Sequence, residues 1–228
     1  MSRLIILDTE TTGFSPPWPS NDRIVSICCL EMINSRLTGK KFSRLVDPQR
    51  SIPASASKVH GIYTSTVKNT STFSQIADQL LAFIGSSKIV AHNAAFDRRF
   101  VNFELNQHGR RQLLENQWIC SMKVAKQVLK PKFKFSWSLD SLCQVFCINN
   151  SQRNIHGAEI DTKLLAQVWV CLNADEENFL IDKELFDAMD LKCKDRRRSV
   201  KSKKKTGVIE EEKKVGKETS TIETIVID

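Results

Sequence analysis

Leu4-Ile5-Ile6-Leu7 is a continuous apolar run that stops at Asp-Thr-Glu-Thr-Thr-Gly (8–13). That is the pattern of a short strand buried on both faces, with a polar, glycine-containing loop at its C-terminal end. Pro16, Pro17 and Pro19 impose an irregular loop, after which residues 23–32 and 36–46 read as two strands joined by a polar turn at Asn34-Ser35. These segments predict an antiparallel meander. From Thr72 the period changes: Phe73, Ile76, Leu80, Leu81 and Ile84 recur at helical spacing, and Gly85 stops the helix before the apolar run Ile89-Val90-Ala91. Asn93 is placed to cap a further helix whose Phe96, Phe100, Val101, Phe103 and Leu105 form a core stripe up to Gly109. Residues 118–120 form another short strand. Helices follow at about 121–130, 138–147 and 157–172, separated by Pro131 and the polar stretch 149–154. A meander followed by alternating strand and helix predicts an α/β fold: a mixed sheet, antiparallel strands plus parallel ones, flanked by helices.

Charge divides the chain. Residues 1–172 carry 21 Lys/Arg against 12 Asp/Glu, whereas residues 173–228 carry 13 against 14. The excess positive charge therefore belongs to the part that folds, as a groove for a polyanion would require. A length of 228 residues fits one domain, 1–172, followed by a charged tail, 173–228. The seven cysteines are odd in number and mostly sit in apolar runs, which argues against a disulfide framework. Cys143 and Cys147 stand four apart on an expected helix, but no second pair completes a zinc site. With no long apolar stretch and no leader pattern, the expected location is cytoplasmic and away from membranes.

Three fragments carry chemistry. Asp8 and Glu10 are two apart on a strand end, so both carboxylates point to one side, an arrangement that calls for a cation such as Mg²⁺ or Mn²⁺. Taken alone, the pair is equally at home on a solvated strand end. Asp97, in His-Asn-Ala-Ala-Phe-Asp (92–97), falls in the first turns of a helix, where the macrodipole favours a carboxylate and where an ordinary helix-start Asp also occurs. His156-Gly-Ala-Glu-Ile-Asp161 places a histidine just before a helix and an aspartate within it, so that the two can flank one site.

Together these fragments resemble the three motifs of the DEDDh family of 3′–5′ exonucleases, and its proofreading branch in particular. The stretches 7–13, 36–39, 59–62, 92–97, 138–143 and 156–161 stand in family order, and the likeness spans about residues 3–172. The resemblance implies an RNase H-like fold and hydrolysis at two divalent cations, Mg²⁺ or Mn²⁺, roughly 3.5–4 Å apart. In that scheme Asp8 bridges the metals, Glu10 and Asp161 complete one coordination shell, and Asp97 supports the other. His156 takes the proton of the attacking water, a task suited to an imidazole, whose ordinary pKa is about 6.5. By the same likeness the backbone around Thr9 to Thr12, together with His60, Asn93 and Phe96, surrounds the terminal nucleotide of a DNA 3′ end; His60-Gly61 reads equally as a helix C-cap, and Phe96 as core. A family member that trims RNA or acts in repair is the alternative.

Proofreading members carry a C-terminal extension that tethers them to the catalytic subunit of a replicative polymerase. Here Phe179, Ile181, Leu185, Phe186 and Met189 allow a short amphipathic helix, and Asp182–Phe186 resembles a sliding-clamp peptide with Asp in place of Gln. The aliphatic cluster 222–227 suits polymerase docking, while the basic run 196–205 reads as a solvated linker.

Overall fold

The structure is a computed structural model that describes residues 3–17, 19–129, 136–151, 153 and 155–173. Its centre is β1 (Arg3–Thr11), flanked on one side by β2 (Ile24–Ile33) and on the other by β4 (Lys88–Ala91). Among the described residues the sheet runs β3-β2-β1-β4-β5, with β3 (Arg36–Leu45) and β5 (Trp118–Cys120) at its edges. β1, β2 and β3 pair antiparallel, and β4 pairs parallel with both β1 and β5, which gives the expected mixed sheet. Asn34 and Ser35 both take left-handed backbone angles (φ 49° and 61°), as a two-residue hairpin turn demands.

Side-chain alternation divides β1 between two layers. Ile5 and Leu7 join Ile27, Cys29 and Ile89 in a core covered by α3 (Phe73–Ile84) and by Phe100, Val101 and Leu105 of α4 (Ala94–Gln107). On the other face α7 (Ala158–Leu172) packs against β1 and β2. α5 (Ser121–Val128) and α6 (Leu139–Val145) support α7. Arg23 ties the start of β2 to α4 by donating from Nε and Nη2 to the two oxygens of buried Glu104, at 2.8 and 2.7 Å.

Two expectations change, and two short helices are added. β1 does not stop at Leu7 but continues to Thr11, because β2 goes on pairing with it through Glu10 opposite Ser26. Asp8 and Glu10 thus sit on the end of a strand, as their spacing suggested, with the strand running on past them. Helices α1 (Ala54–His60) and α2 (Thr64–Val67) occupy a stretch that offers no apolar stripe. Cys147 lies past the end of α6, exposed and at φ 52°, so it shares no helix face with buried Cys143. The amphipathic, clamp-like, basic and aliphatic segments read in the tail lie outside the described residues.

Candidate active site

β1 outruns its parallel neighbour. The pairing with β4 covers only Leu4 to Ile6, and beyond Ala91 the chain turns through His92 and Asn93 into α4. A crevice therefore opens past the carboxyl ends of β1 and β4, where open α/β sheets commonly place a site. Asp8 and Glu10, in step with Ile6, point toward the α7 layer and meet Asp161 in the first turn of that helix. The three residues each present an oxygen within 4.8 Å of the others. Thr9 points the opposite way and donates its hydroxyl to Asp97 Oδ1 at 2.8 Å, fixing that carboxylate in the first turn of α4. All four acids line one cleft of about 380 Å³, together with His156. That volume suits one nucleotide better than a duplex, since clefts for small ligands measure about 300–1,000 Å³.

Crowding and burial set the electrostatics. Asp8 is held well above the usual carboxylate range, first by desolvation and then by the charges of Asp97, Glu10 and Asp161. Glu10 is pushed from 4.5 to about 8 by burial, then by Asp161 and Asp97. Burial lifts Asp97 from 3.8 to about 7 even though Thr9 hydrogen-bonds to it and pulls the other way. An all-carboxylate donor set under this repulsion fits a hard divalent cation that prefers oxygen ligands, and it supports divalent-metal use.

The same shifts predict how stability depends on pH. Asp8, Glu10 and Asp97 each bind their proton more tightly folded than unfolded, so their contribution is fullest below about 3.8 and is lost as pH rises toward about 8. In chelator, the melting temperature is expected to fall between pH 5 and 8. Added Mn²⁺ should raise it by an amount that grows across that window. Scanning calorimetry with and without chelator checks this, and a metal effect independent of pH would contradict it.

Thr9, Asn93 and Phe96 line the cleft alongside the acids, whereas Thr12 and His60 do not. The Thr12 hydroxyl is bound by structure: it donates to Asp22 Oδ1 and accepts from the Arg23 N–H. Asp22 also explains Gly13, since a Cβ there would stand 2.3 Å from Asp22 Oδ2. His60 is buried at the end of α1 with Gly61 in the left-handed region at φ 69°, so the C-cap reading describes this backbone. Asn93 stands at the N-cap of α4 but makes no capping bond with its side chain; its left-handed backbone (φ 60°) turns the chain instead. Phe96 both packs on the core and faces the cleft.

Sequence reasoning missed two residues, Arg153 and Asp140. Arg153 donates from Nε and Nη2 to both oxygens of Asp161 at 2.5 and 2.7 Å, from Nη2 to His156 Nδ1 at 2.6 Å, and from Nη1 to Asp140 at 2.5 Å. The available signal was an arginine three residues before His156, within a stretch read only as a polar spacer.

Carboxylates from the central strand β1 and from the first turns of α4 and α7 thus converge at one end of a mixed sheet flanked by helices, an arrangement of the RNase H-like class. Residues 5–169 match the family model described as Exonuclease. DNA polymerase III subunit epsilon of Rickettsia felis is 40% identical over 187 residues, covering 80% of each chain. The subunit of the same name from Escherichia coli K12 is 34% identical over 182 residues, covering 77% of this chain and 73% of the relative. Among solved structures, exonuclease X in complex with 5′-overhanging duplex DNA superposes with a TM-score of 0.57 at 28% identity, covering 74% of this chain and 90% of that one. E. coli exonuclease I in complex with a dT13 oligonucleotide, at 14% identity and a TM-score of 0.66, shares the fold over 79% of this chain and 43% of its own. The chain belongs to the exonuclease family, among the DNA polymerase III epsilon subunits.

Proposed function

We propose that this chain is a 3′–5′ exonuclease that releases nucleoside 5′-monophosphates one at a time from DNA 3′ ends and proofreads for DNA polymerase III. The observation that carries the reading is the meeting of Asp8, Glu10 and Asp161 within 4.8 Å, in one cleft with Asp97 and His156. The proposed cofactors are two divalent cations, Mg²⁺ or Mn²⁺, held by Asp8, Glu10, Asp97 and Asp161. Bound there, they supply Lewis-acid polarisation of the scissile phosphate and neutralise charge on the departing 3′ oxygen. The chain's own groups do the rest. Thr9 keeps Asp97 in place through its 2.8 Å hydrogen bond. His156, half exposed at the cleft, receives the proton of the attacking water. Asn93 and Phe96 face the terminal nucleoside. In this reading the backbone around Thr9 to Thr12, with His60, completes the surroundings of the terminal nucleotide.

Residues 1–172 form the catalytic domain in this reading. The tail, 173–228, tethers it to the polymerase III catalytic subunit, with a sliding clamp as a further partner, and the complex works in the cytoplasm. Selectivity for errors follows from fraying: a paired end must be unstacked at a cost of a few kcal/mol, which a mismatch has already lost. Purified chain with Mg²⁺ or Mn²⁺ and 5′-labelled DNA should give a one-nucleotide ladder, faster from a mismatched 3′ end. Preference for RNA over DNA, or no cleavage of either, would overturn the reading.

A further inference from the structure

Asp161 is engaged twice over. Its two oxygens accept the guanidinium fork of Arg153, at 2.5 and 2.7 Å, with both side chains about 5–6% exposed. The same carboxylate belongs to the oxygen cluster with Asp8 and Glu10 that fits a divalent cation. A fork that takes both oxygens leaves little of the carboxylate free to bind a cation fully, so the two engagements compete.

Arg153 also reaches further. The Nη2 that holds Asp161 lies 2.6 Å from His156 Nδ1, so in this arrangement the ring offers that nitrogen's lone pair to the guanidinium and not to water. Nη1 is anchored separately on Asp140, at 2.5 Å, and Asp140 is in turn held by the Asn150 side chain at 3.0 Å. Arg153 can therefore give up Asp161 without losing its hold on α6. Among the described residues it is the one Lys or Arg lining the cleft.

We propose that Arg153 is an internal competitor of the catalytic cation: it latches Asp161 and His156 together, and metal loading requires that the fork be released while Asp140 retains the guanidinium. Arg153 is thus a positioning residue, acting through Asp161 and His156. The inference rests on the metal-site reading above, and its failure is separable from the failure of that reading.

The test is calorimetric titration of Mn²⁺ into the metal-stripped full-length chain, with free Mn²⁺ followed in parallel by electron paramagnetic resonance. Arg153→Gln is expected to bind Mn²⁺ roughly tenfold or more tightly, the scale of a charge-assisted hydrogen bond of about 1.5–3 kcal/mol. Arg153→Lys keeps the charge but cannot fork, and should fall between Gln and wild type. Lys41→Gln removes a charge whose partner is Glu159 and should match wild type. Circular dichroism melts confirm folding; if the Gln variant does not fold, Arg153→Lys carries the test. Equal affinity in wild type and the Arg153 variants, or equal tightening in Lys41→Gln, would overturn the latch and leave the metal site standing. No Mn²⁺ binding by wild type would overturn both.

Discussion

Asp8→Ala is expected to reduce hydrolysis by roughly 10⁴-fold or more, because a metal's share of transition-state stabilisation is several kcal/mol and Asp8 stands at the centre of the cluster that would hold it. The fold should survive. Asp8 contributes no apolar volume, and its carboxylate is already disfavoured by burial and by the charges of Asp97, Glu10 and Asp161. Removing it relieves that repulsion, so in chelator the variant should melt at or above the wild-type temperature, and Mn²⁺ should no longer raise it. The pairing of Asp8 with Cys28 across β1 and β2 involves backbone alone and is retained. Hydrolysis of labelled single-stranded DNA, read beside melts with and without metal, checks both halves. Near wild-type activity would remove Asp8 from the mechanism, and a large loss of stability in chelator would make it a structural residue.

For His156→Gln the expected loss is roughly 10²–10⁴-fold in the rate of bond cleavage, the usual contribution of a general acid or base. The effect should be confined to that step. The backbone N–H of residue 156 keeps its 3.0 Å bond to the Val59 carbonyl, and Gly157 still begins α7, so Asp161 stays in place. Mn²⁺ affinity should therefore be largely retained. Single-turnover rates with prebound DNA isolate cleavage from binding. An unchanged cleavage rate would show that another group takes the proton, whereas a fall in metal affinity as large as the fall in rate would mean that His156 acts by holding Asp161.

The two substitutions probe residues that were legible to different degrees. Asp8 and Glu10 could be paired from spacing alone, since strand alternation puts positions two apart on one side. The strand's length was misjudged, because only the pairing with β2 carries it on to Thr11, and an apolar pattern does not report a partner's register. Asp97 and Asp161 were each marked by a helix start, but their separations of 89 and 153 residues from Asp8 left their meeting to be supplied by family order. Where the Thr12 side chain goes was equally illegible, because the fold turns its hydroxyl to Asp22 and spacing along the chain does not report that partner.

By itself the sequence determined most of the local elements, though neither α1 and α2 nor the full length of β1, together with the chemical type of the site and the family, because hydrophobic period, turn residues and motif spacing are local properties. Only the tertiary structure decided which carboxylates converge and what else enters the cleft. Arg153 is the clearest instance: an arginine in a polar stretch carries no mark of its destination. Its hold on Asp161, His156 and Asp140 follows from the packing of α6 against α7, which brings a guanidinium to an acidic centre. Electrostatic partners are chosen by distance in space, and the chain specifies that distance only through its fold.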